Sequence, residues 1–403
     1  SDVYKRQTYF YPSVGVSGVI SEMVSLPKFI SFWKMRASFA EVGGPINYTG
    51  LTPGTVTDPM KGGVINPISV YPFPNFKAEQ TKSYELGTNL RLFNNKINID
   101  ATVYLTDTYN QTFLSSMSPA SGYSGFYVQA GKVRNKGIEL SLGYNDRFGK
   151  VGYATNLTYT ANRNKIMKMV HDYKNPSDGS LFSITELTLQ DKGGVYLREK
   201  DAIGDVYVKG ILARGKDGKL IEEEGGYKVD RSQRIKIGSV NPDFSIGWRH
   251  NVTWNNITLD LLFNGRFGGI VTSSTQAFLD DYGVSKDTYK ARQNGGVWVN
   301  GTQYDAEKYY TTIGGEQLMA YYAYKATNIR LQEASLSYTL PGKWFGNVIN
   351  RLTVSAIGRN LWMIYNKAPF DPEMTSSTGT YNRGDVFMPP SLRSVGFSVK
   401  IEL

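Results

Sequence analysis

Carboxylates and histidines are the side chains of this sequence with the clearest capacity for chemistry. The acidic run 222–224 has the residue type of an acid–base catalyst, but it follows the turn-like stretch 215–219, which favours a solvated charge run. The two carboxylates of 371–373 could bind calcium, although a rigid turn around the intervening proline explains them better. His171 and His250 are the only histidines, and cysteine is absent. These counts exclude a multi-histidine metal centre and a thiolate site, and we predict no enzymatic activity, metal or cofactor.

Alternation of apolar and polar residues is the dominant pattern along the chain. Odd positions are apolar and even positions are polar in 97–105, and the same scheme recurs in 83–92, 137–144, 256–267 and 394–403. Such alternation predicts strands with one face against an apolar environment. The longer runs reach about ten residues, which is what a tilted strand needs to cross a membrane. Polar and charged residues in mid-strand fit a water-filled barrel interior.

The connections between these strands are alternately short and long. Short turns are predicted at 93–96, 145–150, 253–256 and 341–350, and long connections rich in glycine, proline and tyrosine at 42–80, 110–132, 164–233, 269–321 and 366–390. Outer-membrane barrels have tight periplasmic turns on one rim and long external loops on the other. A soluble β-sandwich, the setting in which an enzyme was considered, offers no reason for the alternation.

The pattern predicts an all-β fold with about eleven long antiparallel strands. They cover 8–20, 28–41, 81–93, 96–109, 134–146, 150–162, 235–252, 256–268, 323–340, 350–364 and 391–403, with a bulge between Leu331 and Ala334. Because complete bacterial barrels have an even number of strands, residues 8–403 are expected to be part of a larger barrel domain. Residues 1–7 look like a non-native tag from translated adapter sequence.

Aromatic residues fall into two groups. Those near predicted strand ends fit an interfacial girdle: Trp33, Tyr84, Tyr144, Trp254, Trp344 and Trp362. Those in the long connections are candidates for stacking on sugar rings or peptide side chains: Tyr71, Phe73, Tyr123, Phe126, Tyr127, Tyr321 and Tyr322, with Tyr309 and Tyr310 nearby. The loop aromatics could equally pack together as small cores that hold the loops, and the sequence leaves both readings open.

The positive charge of the chain is spread along its length. Lys and Arg number 45 against 35 Asp and Glu, which gives a formal net charge of +10. Nucleic-acid binding requires these residues to gather into one stripe, and here they are scattered. Attraction to anionic lipopolysaccharide at the barrel rims explains the excess of positive charge better than nucleic-acid binding does, and an ordinary solvated surface explains it equally well.

Several segments resemble the SusC/RagA family of TonB-dependent transporters of the Bacteroidetes outer membrane. They are 83–87 (SYELG) with 92–96 (LFNNK), 131–140 (GKVRNKGIEL), 326–331 (ATNIRL), 358–361 (GRNL) followed by 370–373 (FDPE), and 388–397 (MPPSLRSVGF). Their order and spacing hold over nearly all of residues 8–403, so the resemblance is specific, whereas a single motif would be weak.

This resemblance implies a 22-stranded barrel in the outer membrane, of which the eleven strands would be strands 12–22. It also implies an N-terminal plug and a segment that contacts TonB, neither of which is in this sequence, and a SusD-like lipoprotein lid. The implied function is energised import of oligosaccharides or peptides. The alternative is a passive barrel that displays its loops as an adhesin or a glycan-binding surface.

The resemblance also gives structural roles to the residues that match the family motifs. These are Asn135, Gly137, Glu139, Arg330, Asn360, Asp371, Pro372, Glu373 and Arg393. Two departures from the family pattern are present. The stretch 213–219 lacks the acidic loop of many relatives, which puts calcium there in doubt, and the sequence ends in Leu403 where the family typically has phenylalanine.

The predicted faces can be tested with arginine substitutions in 256–268. We expect Leu261→Arg to be more damaging than Asn264→Arg by about 2–4 kcal/mol, because only the first buries a charge in lipid. The free energy of unfolding of the complete receptor, refolded into bilayers and titrated with denaturant, measures the difference. Equal losses for the two variants would show that the faces are assigned wrongly.

Overall fold

The computed structural model describes most of the chain, in two compact units. It covers residues 10–44, 70–71, 77–116, 118, 120, 123, 125–174, 179, 181–189, 195–346, 348–377 and 384–402. The first unit is Ser1–Ile203 with Ile246–Leu259, and the second is Gly204–Ser245 with Asp260–Leu403. The predicted tag at 1–7, Phe73 and Leu403 lie outside the described residues.

Long antiparallel strands build the first unit. They are β1 (Ser13–Val19), β2 (Ile30–Gly44), β3 (Glu79–Leu92), β4 (Ile97–Tyr109), β5 (Lys132–Phe148), β6 (Val151–Lys168) and most of β7 (Phe244–Trp254). Strands β1 to β6 pair in chain order, each antiparallel to the next. Backbone groups within this sheet therefore have partners on neighbouring strands, as a membrane-spanning wall requires.

Shorter elements of the first unit lie in the long connections. A five-stranded sheet contains Val70–Tyr71, Gln111–Ser116, Gly125–Ala130, Glu186–Leu189 and Val195–Arg198. Val170–Lys174 pairs with Leu181–Ile184, and the short helix α1 covers Ile20–Met23. The sequence predicts only long connections here, and within them these segments form β-structure of their own.

The second unit combines long strands with a larger set of loop elements. Strand β8 (Ile257–Phe267), most of which belongs here, is followed by β9 (Asn328–Pro341), β10 (Arg351–Asn366) and β11 (Ser394–Glu402). The loop strands are Asp205–Leu212, Glu222–Glu223, Gly226–Tyr227, Val229–Ser239, Ile270–Ser273, Val297–Val299, Thr302–Tyr304, Ala323–Lys325 and Gly384–Asp385. Helices α2 (Ser274–Asp281), α3 (Lys286–Gln293) and α4 (Ala306–Gly315) and the 3₁₀ turn Gly342–Phe345 complete it. Along the described chain, no helix is long and apolar enough to cross a membrane.

The all-β class and the antiparallel sheet are confirmed, and every predicted strand except 235–252 overlaps one long strand of the structure. The bulge is confirmed too, because the β9–β10 register shifts between Leu331 and Glu333. The predicted strand 235–252 is wrong. It is divided between Val229–Ser239, which pairs with Asp205–Leu212, and β7. Pro242 lies at the break, where a proline cannot donate a ladder hydrogen bond.

The two faces of the first unit's sheet differ sharply in polarity. Cross-strand partners on one face form the apolar row Val16, Ala37, Leu86, Val103, Ile138 and Ala161. The adjacent row on the opposite face is Ser17, Arg36, Gly87, Thr102, Glu139 and Thr160. The Leu86 side chain is 49% exposed, and Phe397 of the second unit is 84% exposed. These exposures exclude a sealed sandwich interior and match a lipid-facing surface.

Buried apolar side chains concentrate where the long connections begin and within them. In the first unit they are Phe113, Val128, Val133, Ile166, Met169, Leu187, Leu189, Leu197 and Ile203. The middle of the sheet needs no such core, because lipid provides an apolar environment for its outer face. The loops project into water and must bury their own apolar surface.

Gly137 marks a close approach between neighbouring strands on the polar face. Its cross-strand partner on β4 is Tyr104. A Cβ atom at Gly137 would lie 2.5 Å from the Tyr104 hydroxyl oxygen and 2.5 Å from the Ala161 carbonyl oxygen. Gly143, on the same strand and face, has room, because a Cβ there would meet its nearest atoms at 3.6 Å.

These two glycines give a matched pair of alanine substitutions. We expect Gly137→Ala to destabilise the complete receptor by about 1–3 kcal/mol through overpacking. Gly143→Ala should leave stability within about 0.5 kcal/mol. Denaturant unfolding of the refolded receptor gives both values. Equal stability of the two variants would mean that Tyr104 moves aside freely and that the glycine is not required for packing.

Candidate functional site

The polar face of the first unit carries an organised charged network. Arg36 donates to Asp100 at 2.8 Å and to Thr102 at 2.6 Å, and Asn89 donates to the second Asp100 oxygen at 3.0 Å. To reach Asp100, the guanidinium passes over Gly87, where an added Cβ would lie 2.5 Å from the Arg36 Nε atom. Glycine in the SYELG segment therefore makes room for an arginine that links strands β2 and β4.

Hydroxyl and amide pairs continue this surface towards the long connections. Ser83 and Thr106 are paired at 3.2 Å, and Asn164 donates to Asn135 at 2.8 Å. Asn135, one of the motif residues, thus helps to fix Asn164, which accepts a hydrogen bond from the Ile203 backbone amide at 2.8 Å. Glu139 lies exposed on the same face. The arrangement presents fixed hydrogen-bonding groups to water, and such groups can pair with the hydroxyls or amides of a passing polar solute.

The motif residues of the second unit form a buried ion pair. Arg330 donates to both oxygens of Asp371, at 2.9 and 3.3 Å, and each side chain is only 8% exposed. Asn328 accepts two further hydrogen bonds from the Arg330 guanidinium and donates to Glu373 at 3.2 Å. Bidentate pairing of this kind holds the two side chains in one relative orientation and also neutralises their charges. It attaches the connection after β10 to the start of β9.

Asp371 also anchors the segment that leads into β11. The Ser391 hydroxyl donates to it at 2.5 Å, and the Glu373 backbone amide donates at 3.0 Å. Burial alone opposes ionisation of this carboxyl, but the hydrogen bonds from Arg330, Ser391 and the Glu373 amide outweigh that effect. The pKa of Asp371 therefore lies below its ordinary value. The intervening Pro372 is fully buried, so the 371–373 motif is a packed, rigid turn in this structure.

A cavity of about 320 Å³ lies beside this ion pair. Arg330, Asn360 and Asp371 line it together with the exposed Arg393 and with Trp362. Asn360 adopts a left-handed backbone conformation (φ 52°) and donates to the Leu392 carbonyl oxygen at 3.2 Å. Four of the motif residues are thus brought to one place, where they connect β9, β10 and the entry into β11. Among the described residues, no group of three His, Asp or Glu side chains is placed to hold a metal ion.

The aromatic residues predicted to contact substrate differ from one another in the unit they belong to and in how far their side chains are buried. Tyr322 is 1% exposed and belongs to a loop core with Leu212, Tyr227 and Leu318, so its prediction as a substrate contact is wrong. Tyr321 packs on this core and accepts a hydrogen bond from the Leu212 backbone amide at 3.0 Å. Tyr322 is therefore part of a small core that holds the loops, whereas the half-buried Tyr321 stays a prediction as a ligand contact.

The remaining loop aromatics lie in the first unit. Phe126 and Tyr127 are half-buried on the strand Gly125–Ala130, and Tyr123 is half-buried just before it. The backbone of Tyr71 pairs in parallel with Phe126, while the Tyr71 side chain is outside the described set. Phe126, Tyr127 and Tyr123 therefore keep partly exposed rings and stay predictions as ligand contacts.

The loop core of the second unit was not predicted from the sequence. It contains α2 to α4, and burial raises the pKa of Tyr310 to about 12 and raises that of Tyr309 as well. Three side-chain caps begin these helices: Ser273 accepts from the Gln276 amide, Ser285 from the Thr288 amide and Asp305 from the Lys308 amide. Serine or aspartate before a helical stretch is a known signal for the start of a helix, and the predicted long connection 269–321 contains all three of these residues.

The buried ion pair predicts a large effect for one neutral substitution. We expect Asp371→Asn to cost about 3–5 kcal/mol, because it leaves the Arg330 charge buried without its partner. Glu333→Gln is the matched control: its partner Arg359 lies at 3.0 Å but is 64% exposed, so the loss should stay below about 1 kcal/mol. Hydrogen exchange of 367–377 in the complete receptor reports both.

The Arg330–Asp371 ion pair also makes the stability of this region depend on pH. Because the pKa of Asp371 is lowered on folding, its stabilisation is fully present above the unfolded value of about 3.9. The stabilisation is lost as the pH falls through the folded pKa. Exchange of 367–377 should therefore accelerate below about pH 4 in the parent protein, and this acceleration should be absent in Asp371→Asn. An identical acid response in both proteins would contradict the role of Asp371.

Comparison with known proteins agrees with this architecture. The family model of the TonB-dependent receptor-like β-barrel matches residues 1–261. The TonB-dependent receptor P3 of Formosa agariphila is 24% identical over 405 residues, which cover 93% of this chain and 39% of that protein. The TonB-dependent receptor P39 of the same organism is 22% identical, with 94% and 40% covered.

Solved structures show the same fold. The RagAB peptide transporter superposes with a TM-score of 0.72 at 17% identity, covering 97% of this chain and 43% of that one. The RagAB peptide importer in the closed-closed state gives a TM-score of 0.74 at 18% identity. The chain spans about two fifths of the length of these relatives. On its matched residues and its fold, the chain belongs to the TonB-dependent receptor-like β-barrel family and is an outer-membrane β-barrel protein.

Proposed function

We propose that residues 8–403 form strands 12–22 of a 22-stranded barrel in an outer-membrane transporter that imports oligosaccharides or peptides. The two-faced sheet is the observation that carries this proposal. One face of β1 to β6 presents an exposed apolar row, and the other presents the Arg36–Asp100 network. A wall of this kind separates lipid from a water-filled passage, and the polar face is where a hydrophilic solute travels.

Energy and gating come from parts of the receptor that lie outside these 403 residues. By its resemblance to the family, the complete receptor contains a plug and a segment that contacts TonB, and it works with a SusD-like lipoprotein lid. The described loops support a role for this chain at the outer rim. The strands around Gln111–Ser116 and the helices α2 to α4 give the long connections fixed structure, which a docking surface for a lid and a solute requires.

The proposed substrate class includes both oligosaccharides and peptides, because the two share the chemistry that this surface can bind. Both offer hydroxyl or amide groups to the polar face and apolar surfaces to half-buried rings such as Tyr127. The RagAB structures are those of a peptide transporter, and at 17–18% identity they support the fold rather than the cargo.

Uptake by the complete receptor tests the proposal. Cells that express it receive a labelled oligosaccharide mixture or a labelled peptide mixture, with TonB intact or disrupted. We expect one mixture to accumulate only when TonB is intact. Tyr127→Ala should lower affinity about 2- to 10-fold, the usual worth of an aromatic contact. Trp254→Ala, at an exposed strand end, is the control and should leave affinity unchanged.

The passive alternative predicts a different pattern. A barrel that only displays loops binds its ligand at the cell surface equally well with and without TonB, and nothing accumulates inside. If the receptor binds a mixture but neither mixture accumulates in a TonB-dependent way, the transport proposal is wrong and the function is adhesion.

A further inference from the structure

The cavity beside the Arg330–Asp371 pair lies where β9 begins and β10 ends. Strand β9 begins at Asn328, shortly after one long connection, and β10 ends at Asn366, where the next long connection starts. Because the long connections of outer-membrane barrels are external, the cavity is at the end of the wall that a solute reaches first. Its volume of about 320 Å³ is close to the lower bound of about 300 Å³ for ligand sites, which suits one part of a larger solute.

The Arg330 guanidinium brings a spare hydrogen-bond donor to this cavity. It has five N–H groups and makes four hydrogen bonds, two to Asn328 and two to Asp371. Nη1 takes part in only one of these bonds, so one of its two N–H groups has no acceptor among the described residues. The Arg330 side chain is 8% exposed and lines the cavity. A buried donor without an acceptor is costly, and a ligand in the cavity can supply the acceptor.

Arg393 is a second cation on the cavity wall. Within the described part of the chain, no acceptor or carboxylate pairs with its exposed side chain. Asp371 is the carboxylate among the described lining residues, and it already accepts hydrogen bonds from Arg330 and Ser391. Two guanidinium groups therefore border the cavity with one internal carboxylate. This balance of charge favours a ligand with one negative charge.

Apolar side chains form much of the remaining wall. Trp362 is 59% exposed, and the ring of Phe370 packs edge-to-face on Tyr324 with 5.7 Å between the centroids. Pro369 and Met363 also line the cavity. Aromatic and apolar walls of this kind bind the face of a sugar ring or an apolar side chain. A carboxylate attached to either one therefore matches both the cations and the apolar wall.

We propose that the carboxylate site, defined as the cavity lined by Arg330, Trp362, Phe370 and Arg393, binds one carboxylate group of the substrate. Arg393 forms the bidentate ion pair that guanidinium groups make with carboxylates, and Nη1 of Arg330 donates to the same group. Trp362 and Phe370 contact the sugar ring or the apolar side chain that carries it. A uronic acid residue and the C-terminal residue of a peptide both have this chemistry. The inference rests on the proposed import of oligosaccharides or peptides and adds that the substrate is recognised by a carboxylate.

Binding to the purified complete receptor in detergent tests the carboxylate site. The peptide probes are N-acetylated Ala-Ala-Phe with a free carboxylate and the same tripeptide as its C-terminal amide. The sugar probes are a galacturonic acid trisaccharide and the neutral galactose trisaccharide. We expect one of the acids to bind about tenfold or more tightly than its neutral counterpart, because hydrogen bonds to a charged group are the strong ones. The acid that does so identifies the source of the carboxylate.

Substitutions in the wall separate the charge from the apolar contact. Arg393→Gln should remove most of the preference for the acid and leave the affinity for the neutral probe unchanged. Trp362→Leu should weaken the acid and its neutral counterpart equally, about 2- to 10-fold. Hydrogen exchange of 367–377 at the parent's rate in Arg393→Gln shows that the Arg330–Asp371 pair is intact. Arg393→Lys, which restores the charge, should recover part of the preference.

Matched controls come from the short-turn end of β9 and β10. Arg351 is 58% exposed at the start of β10, and Trp344 is 62% exposed in the turn before it. Arg351→Gln and Trp344→Leu should keep the parent's affinities. Three results would overturn the proposal: no preference for either acid, a preference that survives Arg393→Gln, or an equal loss in Arg351→Gln.

Uptake experiments separate failure of this site from failure of the proposed function. If an acid binds through Arg393 but no substrate accumulates in a TonB-dependent way, transport is wrong and the carboxylate site is correct. If TonB-dependent uptake is found for neutral substrates alone, transport is correct and the carboxylate site is wrong.

Discussion

Strand register is the constraint on which the rest of this structure depends. Side chains alternate across a sheet with a period of two, so a slip of one residue on any strand would exchange its lipid-facing and water-facing sets. Six consecutive strands keep the row from Val16 to Ala161 in phase. Where the β9–β10 register shifts, it does so at the end near Ile329 to Glu333. The seven pairs from Ser335↔Ile357 to Pro341↔Arg351 then proceed without interruption.

Two close approaches show how the polar face keeps this register. Arg36 crosses Gly87 to reach Asp100, and Tyr104 covers Gly137. Each pairs a large side chain with a glycine on the adjacent strand, so that the side chain lies flat across its neighbour. Arg36 thereby links β2 to β4, which are not adjacent, and its hydrogen-bonding groups are fixed before a solute arrives. A fixed polar surface loses less entropy on contact with a solute than a flexible one.

The long connections are stabilised in a different way from the sheet of long strands. A membrane strand needs no protein core on its outer face, whereas a connection in water must bury its own apolar residues. In the second unit Tyr322, Leu318 and Ala277 are fully buried around α2 and α4, and the Arg330–Asp371 pair ties the entry of β9 to the connection after β10. These loop cores explain why so many tyrosines lie outside the strands. Their rings hold the external connections in shape.

The sequence alone determined most of the strands and the polarity of their faces, because period-two alternation is a local pattern. The family resemblance came from motif segments, which are local as well. The sequence placed the bulge near Leu331 but missed the break at Pro242 and the capped helices within 269–321. Only the tertiary structure decided which loop tyrosines are core, because Tyr322 and Tyr127 have the same local chemistry and differ in what packs on them. Likewise, Lys136 lies opposite Arg163 because β5 and β6 pair in this register, although the two residues are 27 positions apart along the chain. Such a pairing becomes visible only when the register is known.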